Sequence, residues 1–187
     1  MGKGPGPSAL EQLFVANISE TLPPLIKSTL TRFNIKTHEA TTPIERTYLS
    51  SNTYFVAKVA VYKGKVYVAN NGLIGQREGS SVDVFNANTL ELEKTWKTSQ
   101  FRPVGVAAYK DNIYVTCSST TGSHEEGNDG NAVDVFPIDR PENTSGPDKS
   151  WVTSQFGPTG VAAYEENIYV TCYGVVDGEV EDIANTI

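Results

Sequence analysis

The stretch Gly105–Cys117, GVAAYKDNIYVTC, returns almost unchanged as GVAAYEENIYVTC at Gly160–Cys172, and more loosely as KVAVYKGKVYVAN at Lys58–Asn70. A repeat of this length points to an architecture before it points to an activity. From Tyr114 to Tyr169 is 55 residues and from Tyr67 to Tyr114 is 47. A further step of 53 back from Tyr67 reaches Phe14, inside LFVAN at Leu13–Asn17, the counterpart of VYVAN at Val66–Asn70. Two more anchors keep the same phase. SVDVF at Ser81–Phe85 matches AVDVF at Ala132–Phe136, with a degenerate TLTRF at Thr29–Phe33. EKTWKTS at Glu93–Ser99 matches DKSWVTS at Asp148–Ser154, with ERTYLSS at Glu45–Ser51.

Each unit thus holds four short runs: a (VAAY), b (NIYVTC), c (AVDVF) and d (KSWVT). They are rich in β-branched and aromatic residues and bounded by turn formers, which reads as strands. Runs a and b are joined by Lys63-Gly64, Lys110-Asp111-Asn112 and Glu165-Glu166-Asn167. Links this short force antiparallel neighbours, and Gly, Asp and Asn tolerate the left-handed backbone of tight turns. The expected fold is therefore all-β: a β-propeller-like array of four-stranded antiparallel blades. An open solenoid or a flat antiparallel sheet is the alternative. Run a, with its small residues, is placed innermost around the channel, and run d, with Tyr48, Trp96 or Trp151, near the rim. Leu13–Ala16 reads as strand, leaving room for a short helix only near Ser8–Gln12 or within Pro24–Ser28.

The expected division is a disordered tail at 1–8, blade 1 (b, c and d) at 9–53, blade 2 at 54–100, blade 3 at 101–155 and a partial blade 4 at 156–187. That makes about three and a half blades, an incomplete ring, whereas closed propellers typically have about 4 to 8. The chain is expected to be a segment of a longer propeller. Ring completion by self-association through open blade edges and a free-standing arc are the other outcomes.

The opening P-x-G-V-A (Pro103, Gly105, Val106, Ala107; Pro158, Gly160, Val161, Ala162), followed by Tyr114-Val115-Thr116 or Tyr169-Val170-Thr171, resembles the repeat of the YVTN-type β-propellers, relatives of the NHL-repeat propellers. Cys117 and Cys172 stand where that family usually has Asn, while Asn17 and Asn70 keep it. The resemblance covers about residues 9–183. It implies a fold more than a function, because propellers host many unrelated activities.

Composition narrows the classes. A formal charge of −7 argues against nucleic acid and leaves cationic partners or a metal open. No apolar run reaches the ~18 residues of a membrane helix. The N-terminal MGKGPGPSALEQLFVAN lacks the apolar core of a secretory signal, so localisation is left open; a secreted or cell-surface setting is expected if the chain is a fragment. Two cysteines make no disulfide framework. Cys117 and Cys172 read as small buried side chains at strand ends. The repeated Asp83 and Asp134 read as structural, either outward-facing or hydrogen-bonded, and the Trp96 and Trp151 pair as core.

No P-loop, dinucleotide fingerprint, H-E-x-x-H or nucleophile elbow is present, and no catalytic residue is assigned. The run His124–Gly130 (HEEGNDG) has oxygen ligands and glycines, so Ca²⁺ is conceivable, but its spacing fits no EF-hand and a solvated loop is the favoured reading. In a propeller the b–c and d–a connections emerge together at the channel mouth. That face collects the candidate binding residues Lys58, Arg77, Glu78, Arg102, His124, Glu125, Glu126 and Asp129. The expected function is a non-enzymatic scaffold for a protein or small-ligand partner. A metal-assisted, lactonase-like hydrolase propeller and a purely structural repeat are the alternatives.

Overall fold

The computed structural model describes residues 12–19, 25–40, 44–49, 56–71, 80–118, 131–141, 146–153, 157–176 and 179–186. Its strands form four antiparallel sheets. The first is β1 (Gln12–Ser19), β2 (Leu25–Asn34) and β3 (Ile44–Leu49). The second is β4 (Val56–Tyr62), β5 (Lys65–Asn71), β6 (Ser80–Asn86) and β7 (Leu92–Lys97). The third is β8 (Pro103–Tyr109), β9 (Asn112–Ser118), β10 (Asn131–Pro137) and β11 (Lys149–Val152). The last is β12 (Pro158–Tyr164), β13 (Asn167–Val176) and β14 (Glu179–Thr186). The fold is an all-β, propeller-like array whose ring does not close. The helix considered within Pro24–Ser28 does not form: Leu25–Ser28 pairs with Arg46–Leu49 as part of β2. Its neighbours across β1 and β3 satisfy the backbone that a single helical turn would leave half unpaired. Ser8–Glu11, the rest of the other helix candidate, lies outside the described residues, as does the tail at 1–8.

Three apolar clusters lie between the sheets and each joins two neighbours. Phe14 and Leu30 meet Val66, Val68 and Phe85 between the first and second sheets. Tyr67, Val82 and Trp96 meet Ile113, Val115 and Phe136 between the second and third. Tyr114, Val133 and Val135 meet Ile168 and Val170 between the third and fourth. Alternate residues of one strand thus serve opposite neighbours: Val66 and Val68 face back, Tyr67 and Ala69 face forward. The period-2 geometry of a strand makes this division automatic.

The inner strands β4, β8 and β12 touch one another in sequence. There the glycine of the P-x-G-V-A opening acquires its reason. A Cβ at Gly105 would stand 2.5 Å from Thr116 Oγ1, 3.1 Å from the Val161 backbone N and 3.2 Å from Gly160 Cα. At Gly160 the corresponding contact is Thr171 Oγ1 at 3.0 Å. In the second sheet the cross-strand partner is Ala69 rather than threonine, and the inner position accepts Lys58. Gly faces Thr twice, and Lys faces Ala once. Gly105→Ala is therefore expected to destabilise by about 1–3 kcal/mol through overpacking. Adding Thr116→Ala should restore part of that loss, since the buried Thr116 hydroxyl has no hydrogen-bond partner to forfeit. Urea denaturation of the two single variants and the double variant measures it; additive losses would sink the explanation.

The hairpin turns that join each inner strand to the next strand of its sheet refine one detail. The first residue of each turn is left-handed, Lys63, Lys110 and Glu165 (φ 46°, 52° and 51°); Gly64, which follows Lys63, is left-handed as expected (φ 72°), whereas the Asp and Asn of the other two turns are not. The two lysines staple adjacent blades on this end of the array: Lys63 pairs with Asp111, and Lys110 with Glu166 at 2.5 Å. The carboxylates hold both ammonium groups above their ordinary pKa, chiefly through the side-chain hydrogen bond. All four side chains are exposed, so solvent screens the pairs and they set register more than stability.

Candidate functional site

At the opposite end the c strands begin and the b strands end. The described part of this mouth is built by the segment Thr98–Arg102, which leads from β7 into β8 and bridges two sheets. Thr98 Oγ1 donates to the Gln100 carbonyl at 2.8 Å, bending the segment. The Gln100 side-chain oxygen accepts the Asn131 amide at 3.2 Å, which fastens the bend to the start of β10. The Arg102 amide donates to Ser80 Oγ at 3.3 Å, and the Arg102 carbonyl accepts the Ser118 amide at 3.0 Å. Arg102 is thereby fixed between β6 of one blade and β9 of the next. Nearby, Asn70 Nδ2 donates to Ser81 Oγ at 3.2 Å. The adjoining Asn71 is buried, yet its Oδ1 finds no donor.

The backbone at Arg102 is left-handed, φ 52°. Its repeat counterpart, 55 residues on, is Gly157, with φ 65°. A glycine adopts that conformation freely, whereas an L-residue with a long side chain is strained there by about 1–2 kcal/mol. The guanidinium of Arg102 makes no ion pair among the described residues. Lys58 is exposed on the innermost strand, close to the mouth end of β4. Two of the eight sequence candidates, Lys58 and Arg102, are therefore placed on this end. Arg77, Glu78, His124, Glu125, Glu126 and Asp129 lie outside the described residues. No three His, Cys, Asp or Glu side chains gather as a metal site among the described residues.

The repeated acids of strand c are interior. Asp83 and Asp134 are buried, and neither faces outward. Asp83 Oδ1 accepts from Thr95 Oγ1 at 2.7 Å. Asp134 accepts the Ser99 amide at 2.7 Å, Ser99 Oγ at 2.5 Å and Ser150 Oγ at 2.9 Å. The Cys117 thiol also points at Asp134, 3.7 Å away. Burial first, and then the negative field of Asp134, push that thiol well above the ordinary range. Cys172 is likewise buried and raised by burial, and both cysteines are free. Thiols held protonated in this way are poor nucleophiles.

A repeated turn on the other end went unread in the sequence. Asn34–Glu39 (NIKTHE) and Asn86–Glu91 (NANTLE) fold alike, although only the motif N-x-x-T-x-E is shared. The Asn34 and Asn86 side-chain oxygens accept the amides two and three residues on, at 2.9 and 3.2 Å in both copies. His38 and Leu90 take the left-handed position, φ 58° and 60°. Arg32 then reaches from β2 to the carbonyls of Ala87 and Asn88, joining the first blade to the second. This asparagine–threonine–glutamate spacing was the available signal, and it marks a structural joint.

No protein-family model and no curated protein sequence matches the chain. Solved structures do resemble it. A chain of hydrazine synthase from Kuenenia stuttgartiensis aligns with a TM-score of 0.61 at 19% identity, over 87% of this chain and 42% of that one. The computationally designed Ika8 protein aligns with a TM-score of 0.52 at 13% identity, over 88% of this chain and 44% of that one. The computationally designed Ika4 protein aligns with a TM-score of 0.51 at 13% identity, over 89% and 88%. The chain thus spans less than half the length of the first two. At such identities the likeness shows the fold alone.

Proposed function

We propose that the chain is a non-enzymatic propeller segment of the YVTN type, whose mouth holds a protein or small-ligand partner by an anionic or carbonyl-bearing group facing Arg102 and Lys58. The observation that carries this reading is Arg102 itself: a cationic side chain kept at a left-handed position where the repeat elsewhere uses Gly157. The repeat requires a left-handed residue here, as Gly157 shows, so an arginine retained in place of glycine, at a cost in strain, points to a use for its side chain. The unsatisfied Asn71 Oδ1 supports the same end, since it would accept a donor from a bound group. The YVTN assignment rests on the two P-x-G-V-A openings and the Tyr-Val-Thr strands. The b–c connections carrying Arg77, Glu78, His124, Glu125, Glu126 and Asp129 belong to the same proposed surface.

Arg102→Gly separates folding from binding. Its melting temperature should equal or slightly exceed that of the wild type, because relief of strain offsets the extra freedom of glycine in the unfolded chain. An immobilised array of acidic, neutral and basic peptides is the binding probe. Wild type should retain a subset of acidic peptides, and Arg102→Gly and Lys58→Ala should each lose them. Equal retention by all three proteins rejects the mouth as the binding surface.

A further inference from the structure

The interface between blades is directional, and the chain leaves one half of it open at each end. On strand b, Val66, Ile113 and Ile168 occupy one repeat position, and each packs back against the preceding blade. Tyr67 and Tyr114 occupy the next position and pack forward, with only 1% and 8% of their surface exposed. The same two positions at the chain's extremes are Leu13 and Tyr169. Leu13 is 54% exposed and Tyr169 is 39% exposed. The residue types that fill the three internal junctions therefore persist where no neighbour covers them. Tyr164, at the end of β12, adds a further 65%-exposed ring to the last sheet.

What covers such a face is specified three times inside the molecule: the back face of another blade of this repeat. Leu13, with Val15 two residues on, supplies that back face in the first sheet. We propose that the chain assembles head to tail with a second copy of itself, the Tyr169 face of one copy seating on the Leu13 face of the other. The contact is heterologous, so two copies close a ring when the rotation permits. Two copies carry eight sheets, the upper end of the range of about 4 to 8 blades in closed propellers. The junction between copies differs from the internal ones in strands and in charge. Among the described residues the first sheet has no inner strand a to meet β12, and the last sheet has no strand d. The turn that would continue the Lys63 and Lys110 staples carries Glu165 in their place, so the pair is held by apolar packing without that ion pair.

Light scattering after size exclusion tests this on the intact chain. Wild type should elute with twice the 20.3 kDa chain mass. Leu13→Glu and Tyr169→Glu each place a charge in both junctions of the ring, so each alone should weaken association on the order of 100-fold and give monomer. Both positions are exposed in the single chain, so circular dichroism and melting of the monomeric variants should report an intact fold. An equimolar mixture of the two variants should regain dimer, because one of its two junctions joins an unaltered Leu13 face to an unaltered Tyr169 face. A wild-type monomer up to its solubility limit overturns the proposal. So does a Leu13→Glu variant that stays dimeric while Tyr169→Glu dissociates, which would mean that tyrosine faces pair with each other. A mixture that remains monomeric overturns it as well.

Discussion

Trp96→Ala is expected to lower stability by about 3–5 kcal/mol, the largest loss among the aromatic positions, read as a shift in the urea midpoint with little change in slope. The indole is 1% exposed and lies at the junction of the second and third sheets. It stacks on Phe136 of the next blade at 5.3 Å between ring centroids, with 8° between planes, and leans on Tyr67 of its own blade at 5.9 Å. Deleting it removes the transfer energy of the largest side chain in the cluster and leaves a cavity between two sheets that other contacts hold apart. Two comparisons isolate the cause. The buried Trp96 Nε1 has no hydrogen-bond partner. Trp96→Phe should therefore cost only about 1–2 kcal/mol, because it discards an unpaired donor along with part of the ring. Trp151, the repeat counterpart, is only half-buried and meets Tyr114 at 5.6 Å. Trp151→Ala should cost correspondingly less. Equal losses at Trp96 and Trp151 would show that the indole is not what fastens the two blades.

Why the fold was readable and the site only partly so follows from the same repeat. Anchors such as Tyr67, Tyr114 and Tyr169 recur because each blade must present the same forward face to its successor, so architecture leaves a periodic trace in the sequence. The glycine of the opening motif was legible as a motif but not as a collision. Only the register that places Gly105 opposite Thr116, and Lys58 opposite Ala69, explains why one inner strand begins with lysine. The direction in which Asp83 and Asp134 point was not legible for a related reason. Alternation identifies an inside when one face of a sheet meets water. Here neighbouring blades cover both faces of β6 and β10, so a polar residue in the pattern has no solvent side to which it can be assigned. The left-handed backbone of Arg102 was invisible for another reason: the sequence shows an arginine before a proline, and nothing local distinguishes it from an ordinary extended residue. Its equivalence to Gly157 was available from the 55-residue period and was the missed signal.

Asp134→Ala is expected to cost about 3 kcal/mol or more, and to do so at a junction rather than within a strand. The carboxylate is fully buried on β10, yet its partners come from elsewhere: Ser150 on β11 of the same blade, and both the amide and the hydroxyl of Ser99, in the segment arriving from the preceding blade. Hydrogen bonds to an ionised acceptor are worth roughly 1.5–3 kcal/mol each, and a donor stranded by removal of its acceptor adds its own desolvation cost. Against this, alanine escapes the cost of burying a charge, and the half-exposed Ser99 and exposed Ser150 recover some bonding from water, which holds the net loss near the lower end of what those bonds imply. Asp134→Asn can keep its amide oxygen on the Ser99 N–H and turn its NH₂ toward Ser99 Oγ and Ser150 Oγ, hydroxyls that accept as well as donate, so it should restore a good part of the loss. Ser150→Ala removes a single hydroxyl partner and should cost about 1 kcal/mol, and Ser99→Ala slightly more. The decisive measurement is hydrogen exchange at the Ser99 amide. If Asp134 is the latch that ties the incoming segment to the third sheet, protection of that amide should collapse in Asp134→Ala while the amides of β9, paired across to β8 and β10, keep theirs. Uniform loss of protection along β9 and β10 would instead mean that the carboxylate supports the sheet as a whole. The segment it latches is the one that carries Gln100 and Arg102 to the mouth, so release of Ser99 should also loosen the left-handed backbone at Arg102. Acidic-peptide retention should then fall in Asp134→Ala although no residue facing the ligand has changed.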